Sequence, residues 1–173
     1  MRSLIDRLAA ARIGQTTNFY RNGKGAALRR ARLAAYLASR AEAPLLLVGE
    51  APGYRGARVS GIPFTSERQL TGTGPAEATA TIVHRVLAEL GLTEQVLLWN
   101  VVPTHPGTAT SNRAPTQPEI AAGLPFAEEL AEGRRVVAIG RIAQEVFGGT
   151  YVRHPSHGGA AEFAGGLRAL LEE

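Results

Sequence analysis

Four residues, far apart in the chain, carry side chains suited to chemistry on a flat, ring-shaped substrate: Glu50, Phe64, Asn100 and His154. Glu50 sits in Gly49-Glu50-Ala51-Pro52-Gly53, directly after the apolar run Leu45-Leu46-Leu47-Val48. A carboxylate there can position or deprotonate a water. Phe64 ends Gly61-Ile62-Pro63-Phe64 and offers an aromatic face on a proline-stiffened loop. Asn100 lies in an apolar segment, and its amide both donates and accepts hydrogen bonds. His154 opens His154-Pro155-Ser156-His157. Each has a plainer reading when taken alone: a turn cap for Glu50, core for Phe64, a satisfied loop histidine for His154. Asn100 is harder to dismiss, because a buried amide needs several partners.

These residues can meet only if the fold brings strand ends together. The chain reads as alternating helices and strands. A helix is expected over 26–40, after a loop at 22–25, and Pro44 breaks the chain before a strand at 45–48. A polar, glycine-rich loop follows over 54–74, and loops of that length in a compact domain are usually functional. A helix at 76–90, a strand at 96–102 and an irregular loop at 103–115 come next. Thr116-Gln117-Pro118-Glu119 reads as a capping box that starts a helix running to about 132. A strand at 135–139, a short helix at 140–147, a strand at 151–152 and a helix at 160–171 complete the pattern. The expected fold class is α/β, a three-layer α/β/α sandwich around a central, mostly parallel four-stranded sheet. Uninterrupted apolar strands fit a sheet covered on both faces. Glu50, Asn100 and His154 then each follow or end a strand, at the sheet edge where open α/β folds bind ligands.

Composition narrows the class. The 173 residues suit a single domain spanning 1–173. Hydrophobic residues are 45% of the chain, too many for a disordered protein. With no cysteine, thiolate zinc sites, disulfides and cysteine-held clusters are excluded, and the four histidines are not spaced as a metal pair; neither metal nor cofactor is expected. No apolar run approaches the roughly 20 residues of a membrane span. Arg2, Asp6, Arg7 and Arg12 interrupt the apolar character a signal peptide would need, so a cytoplasmic location is expected, with no membrane partner. The net charge of +4 rests mostly on arginine, which suits bidentate phosphate contacts, although a GC-rich coding bias, which favours Arg, Ala and Gly codons, would give the same composition.

The four motifs together resemble the uracil-DNA glycosylase superfamily. Gly49-Glu50-Ala51-Pro52-Gly53 is similar to the first catalytic motif of its iron–sulfur, thermophile-type branch, Gly61-x-Pro63-Phe64 to the base-stacking motif, Asn100-Val101-Val102 to the uracil-reading strand, and His154-Pro155-Ser156 to the second catalytic motif. The resemblance implies a monofunctional enzyme that flips uracil, or another deaminated base, out of DNA and hydrolyses its N-glycosidic bond with water. It implies Glu50 and His154 as catalytic residues, Ala51, Gly53, Phe64 and Asn100 around the base, and Ser156, Gly158 and Arg58 against DNA phosphates, with Arg55 and Arg153 adding charge. A monomer is expected, since a single lesion needs only one site.

Three departures from the family pattern stand out. The cysteines of the iron–sulfur branch are missing, which implies a cluster-free relative. His157-Gly158-Gly159-Ala160 holds no large apolar residue where the family usually carries a wedge. Gly53 stands where some relatives block thymine with a tyrosine, while others use a downstream acidic residue; here only Tyr54 is near, and no acid falls between Glu50 and Glu67. His84 and its helix neighbours read as solvated surface, and His105 as an ordinary loop residue. The competing readings are a non-catalytic DNA- or base-binding member of the same fold and a phosphate-handling α/β enzyme. Pro52 argues against the latter, because it removes an N–H from the would-be phosphate loop.

Overall fold

A computed structural model describes residues 3–21 and 23–173; Asn22, the first residue of the expected 22–25 loop, lies outside the described residues. Four parallel strands form the central sheet: β1 (Leu45–Gly49), β2 (Val96–Asn100), β5 (Arg135–Ile139) and β6 (Thr150–Val152), in the order β2-β1-β5-β6. The three-layer α/β/α architecture is as expected. Alternation along the strands explains the layers, since successive side chains point to opposite faces. Leu46, Val48, Leu97, Trp99 and Ala138 pack in one core, against Leu8 of α1 (Leu4–Ala10), Leu33 of α2 (Ala26–Ser39), Phe126 of α6 (Gln117–Ala131) and Ala143 of α7 (Arg141–Phe147). Leu47, Leu98, Val137 and Ile139 face the other way. They meet Val83, Val86 and Leu87 of α5 (Ala78–Glu89) and Phe163 and Leu167 of α8 (Ala160–Leu170).

The chain leaves β1 toward β2 on one side, then returns to β5 on the other. The connections therefore diverge at β1, and a crevice opens above its carboxyl end. Register places Gly49 opposite Asn100 and Ile139 opposite Val152. The residues just past these positions share one mouth.

Two expected loops contain more structure than their composition suggests. The 54–74 segment holds two short helices, α3 (Ala57–Ser60) and α4 (Glu67–Thr71). Long-range hydrogen bonds hold the stretch between them: the Tyr20 hydroxyl donates to the Gly61 carbonyl at 2.9 Å, and Arg32 pairs with Glu67 at 2.8 Å. The 103–115 segment contains a two-residue hairpin, β3 (Gly107–Thr108) and β4 (Ser111–Asn112). His105 is fully buried beneath it, with Nδ1 2.8 Å from the Pro52 carbonyl and Nε2 2.8 Å from that of Thr108. The hairpin is thereby tied to the Glu50 loop. The capping box of α6 forms as its sequence indicates. Glu119 is 1% exposed and also takes two bonds from Arg113, each 2.8 Å, and one from the Gln15 N–H.

Candidate active site

At the carboxyl end of β1 lies a cavity of about 450 Å³. Glu50, Ala51, Gly53, Phe64, Asn100, His154 and Ser156 all line it, so three strand ends and the α3–α4 loop bring together what the sequence separates. Arg58 and Gly158 lie outside the lining. Arg58 directs Nε to the Tyr54 carbonyl (2.9 Å) and a terminal nitrogen to that of Ala109 (3.1 Å), which makes it a strut between the Glu50 loop and the hairpin. Gly158 is exposed at the tip of the turn after His154.

Phe64 forms one wall. Its ring lies so close to Gly49 that a Cβ on that residue would stand 2.3 Å from Phe64 Cζ and 3.1 Å from Asn100 Oδ1. Only glycine allows the ring and the amide to meet over the end of β1. Phe64 also has φ 53°, left-handed for a bulky residue, and such strain costs of the order of 1–3 kcal/mol and concentrates at functional sites. The surrounding loop over-determines it: the Ser60 hydroxyl donates to the Thr65 carbonyl at 2.6 Å, and the Thr65 hydroxyl lies 3.0 Å from His84 Nε2. His84 is thus half-buried behind Phe64, not solvated surface, and burial pushes its pKa down. Its helix turns that face inward onto the loop.

Asn100 is 3% exposed, yet its side chain has no hydrogen-bond partner among the described residues. Buried amides are normally satisfied by the protein, so an amide that opens only to a cavity is built for something that enters it.

His154 is held in one tautomer. The Ser156 backbone N–H donates to Nδ1 at 3.1 Å, and the Ser156 hydroxyl lies 2.7 Å from the same nitrogen. A backbone N–H can only donate, so Nδ1 accepts and the neutral ring carries its proton on Nε2. Burial lowers the His154 pKa, and nearby His157 adds to the effect. The cavity therefore receives a neutral N–H donor.

Burial also holds the Glu50 carboxyl above the usual carboxylate range. A second carboxylate, Glu77, shares the cavity and is raised for the same reason. Sequence reasoning missed it: it precedes α5, well away from every motif, and no local signal marks it. Arg113 and Asn112 from the hairpin segment also reach the lining; the Asn112 side chain accepts from the Tyr54 N–H at 2.9 Å. Among the described residues, no group of three or more His, Asp or Glu side chains is placed to hold a metal ion.

Fold and site together define a doubly wound α/β protein whose crevice offers a stacking ring, a free amide, a neutral imidazole and a desolvated carboxylate. The chain belongs to the uracil DNA glycosylase superfamily, whose profile matches residues 37–168. At the level of that family it is a glycosylase of base-excision repair, and the members of the family act on DNA. Among solved structures it is similar to the wild-type SMUG2 of Pedobacter heparinus, with a TM-score of 0.67 and 13% identity over 100% of both chains, a likeness of fold. No curated protein matches the sequence.

Proposed function

We propose that this protein hydrolyses the N-glycosidic bond of uracil in DNA, with the base extruded into the crevice. The observation that carries the reading is the Asn100 amide, buried and unpartnered beside the Phe64 ring. A flipped base loses its stacking neighbours and needs a replacement ring, and its Watson–Crick edge needs polar partners. Phe64 supplies the first. Asn100 supplies the second, accepting from uracil N3–H and donating to O4, a pattern cytosine does not match.

His154 would donate from Nε2 to uracil O2. Negative charge grows on that oxygen as the bond to the sugar breaks, so a fixed donor stabilises the transition state more than the ground state. A neutral histidine suits the task because it strengthens the bond without transferring its proton. Glu50 would orient or deprotonate the attacking water and favour the cationic sugar. Its raised pKa makes it a better base than an exposed glutamate. Ala51 and Gly53 would hold water and the base rim through their backbones. Ser156 would serve mainly to orient His154, while the exposed turn at Gly158 and the guanidinium groups at the rim face the DNA backbone.

The test is release of free uracil from single- and double-stranded oligonucleotides containing one deoxyuridine. The Asn100→Ala variant, shown to be folded by thermal melting, should lose at least about tenfold in single-turnover rate, as expected when hydrogen bonds to the base are lost. Binding of the uracil-containing strand without any release would favour a non-catalytic base-binding protein instead.

A further inference from the structure

Among the described residues other than glycine, only Phe64 and His157 have a left-handed backbone, with φ 53° and 52°, and both line the cavity. That region is uncommon for residues with a side chain; Asn, Asp and His enter it most readily. Strain of this kind gathers at functional sites. Phe64 is the proposed stacking ring. The His157 ring is not needed to build the turn that carries it. The Gly159 N–H closes that turn on the Ser156 carbonyl at 3.1 Å, and Arg153 donates to the His157 carbonyl at 3.4 Å.

The left-handed backbone leaves the exposed ring folded back on Ser156, with Nδ1 3.1 Å from the hydroxyl oxygen. The protons can be placed from there. His154 Nδ1 carries none, because it accepts the Ser156 backbone N–H. The Ser156 hydroxyl, 2.7 Å from the same nitrogen, must then donate to it, and that uses its single proton. Toward His157 the hydroxyl oxygen can only accept, so His157 holds a proton on Nδ1. The three side chains form one directed chain, from His157 Nδ1–H through the Ser156 hydroxyl to His154 Nδ1.

We propose that His157 is a positioning residue for His154: it donates to the Ser156 hydroxyl, keeps that hydroxyl's proton aimed at His154 Nδ1, and so makes the Nε2–H a stronger and better fixed donor. Hydrogen bonds in a chain polarise one another. Negative charge growing on the departing base pulls on Nε2–H, and the chain passes that polarisation out to the exposed ring. No proton changes owner. The inference rests on the reading of His154 as donor to the base.

The experiment measures single-turnover release of uracil at saturating enzyme, where weaker DNA binding no longer counts. It compares His157→Gly and His157→Asn, each in the wild-type and the Ser156→Ala background. Glycine keeps the backbone and loses the donor. Asparagine tolerates the same φ, and its amide N–H can replace that of Nδ1. Glycine should slow release roughly 2- to 10-fold, the effect of one hydrogen bond. Asparagine should recover most of the loss. In the Ser156→Ala background neither change should slow release further, because the chain has already lost its middle. Full activity in a folded glycine variant overturns the proposal. So does an asparagine variant as slow as glycine, or an equal loss in the Ser156→Ala background, which would mean that the ring only braces the turn. Nitrogen-15 spectra of the imidazoles give a readout independent of turnover. If wild type releases no uracil, the hydrolase reading falls and the spectra decide the chain. The His154 Nδ1 resonance should move in His157→Gly and return in His157→Asn; a resonance that stays in place refutes the chain.

Discussion

The Phe64 ring occupies the place that a side chain on residue 49 would need. A Cβ there would lie 2.3 Å from Cζ and 3.0 Å from Cε2, far inside van der Waals contact. Gly49→Ala must therefore move the ring or bend the end of β1. Overpacking of this kind typically costs about 1–3 kcal/mol in stability. Because the displaced group is the proposed stacking platform, affinity for uracil-containing strands should fall more than stability does. Loss of a base–aromatic stack is worth about 1–3 kcal/mol, or roughly 5- to 150-fold in dissociation constant. Fluorescence anisotropy alongside thermal melting checks this. A variant that binds as wild type would mean that Phe64 does not stack on the base.

Glu50 and His154 are shifted in opposite directions by the same burial, and the pH profile should show it. A raised Glu50 pKa means the carboxylate is lost on acidification at a pH above the ordinary value of 4.5. A lowered His154 pKa means the ring stays neutral below its ordinary 6.5. The single-turnover rate should rise with pH along an acid limb set by Glu50 and centred above 4.5. Glu50→Gln should abolish that limb as well as reduce the rate. His154→Ala should cost about 10²–10³ in rate, the usual effect of removing one donor to a developing oxyanion, and leave the acid limb in place. A limb that disappears with His154 and survives in Glu50→Gln would reverse the two assignments.

The sheet and four of the pocket's side chains were legible in the sequence because they follow local rules. Leu45–Gly49 and Val96–Asn100 are unbroken apolar runs, as strands covered on both faces must be. Glu50, Asn100 and His154 gain their meaning from standing at strand ends. The parts that stayed hidden depend on contacts between distant segments. Helices of four and five residues, such as Ala57–Ser60 and Glu67–Thr71, are too short to form by propensity and exist because Tyr20, Arg29 and Arg32 hold their loop. Glu77 reaches the pocket only because the Gly53 loop folds under the start of α5. His84 appears solvated on a helical wheel until that loop covers it.

His84 leads to a prediction that separates binding from chemistry. Its Nε2 lies 3.0 Å from the hydroxyl of Thr65, the residue after the strained Phe64. Removing the ring leaves the Thr65 hydroxyl its 3.1 Å bond to the Pro63 carbonyl and costs one hydrogen bond, about 0.5–1.5 kcal/mol. His84→Ala should weaken binding of uracil-containing strands several-fold through misplacement of Phe64, with a smaller change in the rate from the bound complex. His84→Gln, which can still reach the hydroxyl, should recover part of the loss. If the bound-state rate falls while affinity holds, His84 supports the chemistry by another route.

Glu119 gives the fold a specific acid sensitivity. Hydrogen bonds from Arg113 are the largest cause holding its carboxyl at about 2, joined by backbone donors from Thr116 and Gln15 and opposed by burial. A carboxyl whose folded pKa lies below its unfolded value stabilises the native state above the unfolded value and loses that contribution as pH falls toward the folded one. The window here runs from about 4.5 down to about 2. Between those limits the melting temperature of wild type should fall more steeply than that of Glu119→Gln, and the two curves should converge at the acid end. Arg113 lines the pocket, so the same acidification should loosen its position at the rim. Parallel melting curves for the two proteins across this range would show that the Glu119 cluster does not govern acid stability.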